Sequence, residues 1–168
     1  MFPKLSVILI SVALALVQVN AETHTITFTN NCGTGTAGAY TIPYLRSSSG
    51  AVLSTGGAYT YDGALDGLIA GQYSSIANLN SSGGCGDNGE YCTLVEASLV
   101  NCYSSADISH EFNVAAGFGC YNGCDGAGAD CTSASCSTAF TEPDQTGKQV
   151  GCSADNVDLA ITFCDYIG

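Results

Sequence analysis

Basic side chains are nearly absent. Lys4, Arg46 and Lys148 stand against 15 aspartates and glutamates in 168 residues, a formal net charge of −12. Such a surface repels phosphate backbones and anionic lipid, which excludes nucleic acid and a membrane face as partners. Tryptophan is missing, and histidine is limited to His24 and His110. Ten cysteines contain no C-x-x-C pair, so the usual spacing of a zinc site is lacking, and neither metal nor cofactor is expected. With three prolines, no proline-rich linker marks a second domain. No amphipathic helical period appears, the apolar run from Leu5 to Val17 is too short to span a bilayer comfortably, and no second candidate follows.

What the chain does have begins with Met1–Ala21: one basic residue, an apolar run from Leu5 to Val17, and Val19-Asn20-Ala21 at the end. This is the pattern of a secretory signal peptide, so the mature chain is expected to start at Glu22 and to form one domain over 22–168. Cleavage after Ala21 would leave an α-amine with His24 in third place. Such an end can wrap square-planar Cu²⁺ or Ni²⁺, although His24 shares parity with Ile26 and Phe28 and so also reads as the start of a strand.

The cysteines (32, 85, 92, 102, 120, 124, 131, 136, 152 and 164) all follow that signal, and an even number in a secreted chain reads as five disulfides. Short β-patterned runs recur between Gly-rich turns: 23–30, 39–45, 50–55, 58–62, 67–79, 93–100, 112–118, 148–152 and 157–164. Many short strands without helices predict an all-β sandwich with disulfide-rich loops. Asn80-Ser81-Ser82 is a glycosylation sequon in a polar loop.

Glu96, Asp107 and Glu111 fall within or beside the β-patterned runs TLVEASLV and DISHEFNVAAGF, with Asn101–Ala106 read as the turn between them. Strand interiors disfavour acids, so these carboxylates either face solvent or line a cleft. Two G-x-G-x-x-G matches, at 33–38 and 84–89, lack the following helix that a dinucleotide site needs. His110-Glu111 lacks the second histidine of H-E-x-x-H, since Ala115 stands there, and no G-x-S-x-G occurs. Asp125 and Asp130 give too few ligands for an EF-hand loop.

Several segments, taken in order, resemble the thaumatin-like proteins, in particular the short cysteine-rich secreted ones of mushroom-forming fungi. They are ITFTNNC (26–32), GAVLSTGGAYTYD (50–62), SGGCGDNGEYC (82–92), TLVEASL (93–99), ADIS (106–109) followed by Gly117-Phe118, QVGC (149–152) and AITFC (160–164). The resemblance implies a thaumatin-like β-sandwich and the pairs Cys32–Cys164, Cys85–Cys92, Cys120–Cys152 and Cys124–Cys136. It leaves Cys102 with Cys131, while a local Cys131–Cys136 bond stays open. The family's acidic cleft carries one Arg, one Glu and three Asp. Glu96 matches the Glu and Asp107 the first Asp. Glu111 lies near the second Asp, and Asp144 stands at the late one. Gln72 falls where the Arg would be, with Arg46 upstream.

The function so implied is binding of cell-wall polysaccharide, β-1,3-glucan, or a role in defence, by a secreted monomer. The alternatives are weak endo-β-1,3-glucanase activity, with Glu96 as the acid and Asp107 or Glu111 as its partner, or a structural extracellular glycoprotein without a ligand. Tyr40, Tyr44, Tyr59, Tyr61 and Tyr73 are candidates to stack on sugar rings, or ordinary core residues.

Overall fold

The computed structural model describes residues 21–32, 41–74, 92–110 and 114–164. Twelve strands follow one another: β1 (Thr23–Asn30), β2 (Thr41–Arg46), β3 (Val52–Thr55), β4 (Tyr59–Asp62), β5 (Leu65–Ser74), β6 (Thr93–Leu99), β7 (Ser104–His110), β8 (Ala116–Tyr121), β9 (Gly128–Cys131), β10 (Ala139–Phe140), β11 (Val150–Cys152) and β12 (Asp158–Phe163). No helix occurs among the described residues, so none there is long and apolar enough to cross a membrane. The expected all-β sandwich is what the chain forms.

Five strands make one sheet in the order β4-β1-β12-β8-β9. The other runs β10-β7-β6-β5-β2-β3, with β11 added alongside β7. Period-two alternation supplies the layer between them. In β6, Val95, Ala97 and Leu99 point inward, while Glu96 and Ser98 take the opposite face. Ile26, Phe118, Leu159, Ile161 and Phe163 meet them from the five-stranded sheet, each at most 5% exposed. Truncating one such Leu, Ile or Phe to Ala costs about 2–5 kcal/mol, because the close-packed layer cannot refill the space.

The first and last strands pair in parallel, Ile26 opposite Leu159 and Phe28 opposite Ile161. The Cys32–Cys164 disulfide then ties the ends of these strands together across 132 residues. Chain-entropy reasoning assigns so long a loop about 4–5 kcal/mol of stabilisation.

The remaining cysteines depart from the pairing implied by the resemblance. Cys120 shares the inward face of Phe118 on β8, so its thiol joins the core rather than reaching Cys152. Past it, Asn122 and Gly123 turn the chain at positive φ, and Cys124 bonds Cys152 instead of Cys136. Cys136 closes on Cys131 across a tight turn in which its N–H reaches the Ser133 carbonyl at 3.1 Å. Cys102 is exposed and unpaired. Cys92 is disulfide-bonded, with its partner outside the described residues. Cys85, Asn80, Glu111 and the expected signal segment up to Asn20 also lie outside them.

The 101–106 turn is shorter than expected, because β7 already starts at Ser104. Ser104 is buried and closes the turn itself, its hydroxyl donating to the Val100 carbonyl and accepting the Val100 N–H. A polar side chain that satisfies the local backbone reads in sequence as a turn residue.

Candidate functional site

The outer face of the larger sheet carries the candidate site. Glu96 on β6 and Asp107 on β7 are directly opposed in the antiparallel register. Opposed residues share a face, with their Cβ atoms about 4.5–5.5 Å apart. The same cross-strand row continues through Ile69 on β5 to Arg46 on β2. The chain's lone arginine therefore stands on the carboxylate face, two strands from Glu96. Its guanidinium lies 5.1 Å from the centre of the Tyr44 ring.

Two adjoining hollows meet at this pair. One, of about 400 Å³, is lined by Glu96, Asp107 and Ser109 on the sheet and by Phe140, Glu142 and Gln145 on its wall. The other, of about 290 Å³, lies on the β5 side, where Ile69, Ser98, Ser105 and Gln149 border the same two carboxylates. Ser48 and Gly67 close its far end. Gly67 sits at a bulge with φ +66°, and a Cβ there would come within 2.9 Å of the Ser48 Cβ, so only glycine fits.

The two carboxylates are held differently. The Ser109 hydroxyl donates to Glu96 Oε2 at 2.6 Å, the length of a charge-assisted bond. Among the described residues, the donor to Asp107 is the Gln149 amide, at 3.4 Å. Burial raises the Asp107 pKa, the neighbouring Glu96 charge raises it further, and the Gln149 contact opposes both.

Comparison with known proteins yields no match to any family model and none among curated proteins. Among solved structures the chain is similar to the thaumatin-like xylanase inhibitor TLXI. The two share 20% identity, with 84% of this chain and 98% of that chain covered, at a TM-score of 0.48.

Other expected site residues fall elsewhere. Gln72 is 4% exposed and points into the sandwich, its amide donating to Asn30 Oδ1 at 3.0 Å and to Cys32 Sγ at 2.8 Å. It buttresses the long disulfide, because it shares parity with the buried Leu68 and Ala70 on β5. Asp144 is exposed and does not line the groove; Glu142 in the same loop does. Sequence reasoning missed Glu142 and Ser109, whose only signals were a carboxylate two residues from Asp144 and the alternation of β7.

Among the described side chains, Tyr44, Tyr59 and Tyr61 do not line the two hollows, and Tyr40 lies outside the described residues. Tyr44 is 4% exposed, lying over Gly71 and against Leu94, and Tyr59 stacks on Tyr61 at the edge of the other sheet. Phe140 is the aromatic ring at the groove.

The metal reading of the mature end is also corrected. His24 is fully buried in β1, and its Nδ1 donates to the Val157 carbonyl at 2.7 Å. The Thr23 N–H donates to Asn156 Oδ1 at 3.0 Å. Two of the donors a square-planar chelate requires are thus committed to joining β1 to the 156–157 segment.

Proposed function

We propose that the chain is a secreted, disulfide-stabilised thaumatin-like protein whose Glu96–Asp107 groove binds neutral cell-wall polysaccharide of the β-1,3-glucan type, at the wall or in defence. The observation that carries this reading is the continuity of two hollows across one carboxylate pair, lined by hydroxyl, amide and carboxylate groups. Sugar hydroxyls donate well to carboxylates and accept from Ser and Gln. The combined volume falls in the range of ligand sites, about 300–1,000 Å³. A trough that runs across strands suits a linear chain more than a compact molecule.

Arg46 and Phe140 stand on opposite sides of the pair, one across β5 and one on the β10 wall. Phe140 supplies a ring face in the trough, whereas Arg46 lines a separate hollow with Tyr44 and Val52. Exposed charge of one sign keeps copies of the chain apart, and a monomer follows.

The raised Asp107 titration favours a second reading, weak hydrolysis of the same polymer, since glycoside cleavage needs one protonated and one ionised carboxyl. Against efficient turnover, both carboxylates project side by side from one sheet face and do not flank a bond from opposite sides.

The test is co-sedimentation with insoluble β-1,3-glucan, run beside an assay for released reducing ends. Wild type is expected in the pellet, and Glu96→Gln is expected to lower retention roughly tenfold, the worth of one charge-assisted hydrogen bond. Equal retention of the two would remove the groove from binding. Reducing ends released by wild type and lost in Asp107→Asn would establish the hydrolytic reading.

A further inference from the structure

We propose that Ser109 is a positioning residue for this groove: by donating its hydroxyl to Glu96 it holds Glu96 as the anion and makes Asp107 the member of the pair that takes up the proton. The functional meaning of this assignment rests on the groove reading above; its test needs no ligand.

Two carboxylates directly opposed on neighbouring strands repel when both are ionised, so one proton is readily shared between them. Which oxygen takes it depends on the donors each carboxylate already has. Glu96 Oε2 accepts a full O–H bond at 2.6 Å, and a protonated Glu96 would weaken that bond. Among the described residues Asp107 accepts from the Gln149 amide alone, at 3.4 Å, beyond the usual range, so protonation there breaks little.

Among the described residues, no lysine or arginine lines the two hollows. From β6 the facing titratable group is Glu96, from β5 the facing residue is Ile69, and from β10 it is Phe140. The loop before β11 contributes Glu142, a further negative charge. Its Lys148 ammonium is turned onto the Ala139 carbonyl and Gln145 Oε1, the latter at 2.9 Å. On β9, Asp130 lies against Gly117 in the opposite sheet.

The division matters for either use of the groove. A protonated Asp107 beside an ionised Glu96 offers a sugar one donor and one acceptor at adjacent points. Two anions would offer acceptors alone. In hydrolysis the same division makes Asp107 the proton donor to the leaving oxygen and Glu96 the base.

The experiment is a pH titration of side-chain carboxyl carbons by NMR on the unliganded protein, comparing wild type with Ser109→Ala and Ser109→Thr. In wild type, Asp107 is expected to titrate above the ordinary aspartate range in a single step. In Ser109→Ala the proton spreads over the pair, and the Asp107 titration moves down and broadens into two steps. Ser109→Thr, which keeps the hydroxyl, restores the wild-type curve. Should the alanine variant not fold, Ser109→Cys, a weaker donor of similar size, is expected to give a smaller move in the same direction. An Asp107 curve unchanged in the folded Ala or Cys variant overturns the assignment. Failure to retain glucan with the titration result intact would overturn the groove reading alone.

Discussion

Asp107 stands opposite Glu96 on the outer face of the larger sheet, half-buried, with no lysine or arginine among the residues lining the hollows on either side. Holding an ionised carboxylate there costs folding free energy. Because its folded pKa is raised, Asp107 penalises the native state fully above that folded value. The penalty is lost as the pH falls toward the ordinary aspartate value of about 4. Asp107→Asn should therefore raise the thermal midpoint at neutral pH, with the gain shrinking to nothing on acidification. A midpoint that is lower at every pH would show Asp107 to be a structural acceptor instead.

Glu22 has the opposite sign. Its carboxylate lies 3.0 Å from His24 Nε2 and accepts the Asn101 N–H at 2.6 Å, and these contacts lower its pKa. That contribution is present above the ordinary glutamate value and is lost as the pH falls through the lowered folded value. Glu22→Gln should reduce the melting midpoint at neutral pH and converge with wild type in strong acid. The same arrangement predicts that copper titration of the folded protein gives no one-to-one violet complex. A complex that His24→Ala abolishes would mean that the end of β1 detaches.

Gln72 ties Asn30 and the Cys32 sulfur at the end of β1 to β5. Gln72→Ala should cost about 0.5–1.5 kcal/mol in denaturant unfolding, the usual net worth of a lost hydrogen bond. Retention on glucan should not change. Loss of retention in a variant that stays fully folded would return Gln72 to the site.

The two unpaired thiols differ in access. Cys102 is exposed in a turn at φ 72°, whereas Cys120 is buried in the core, and that burial raises its pKa. A maleimide should label Cys102 in the native protein and Cys120 only after unfolding. Native resistance of both thiols, with none released on denaturation, would establish a fifth disulfide.

The sequence by itself determined the class of fold and part of the site. Period-two alternation marks which residues of β6 and β12 face inward, because a strand has only two faces. Few helix-forming stretches and many Gly-rich turns leave little but a sandwich. Glu96 and Asp107 were legible for a related reason: a carboxylate inside an apolar alternation marks the outer face of a buried sheet. Tertiary structure alone decided the rest. Cys124 rather than Cys120 reaches Cys152 because a turn at Asn122–Gly123 redirects the chain after β8, and disulfide partners depend on distance in space. Gln72 and Arg46 lie on opposite faces of adjacent strands, a fact set by the pairing register of β2 with β5. Ser109 meets Glu96 across a strand pair whose register is fixed by the packing of both sheets, and no local pattern of residues carries that information.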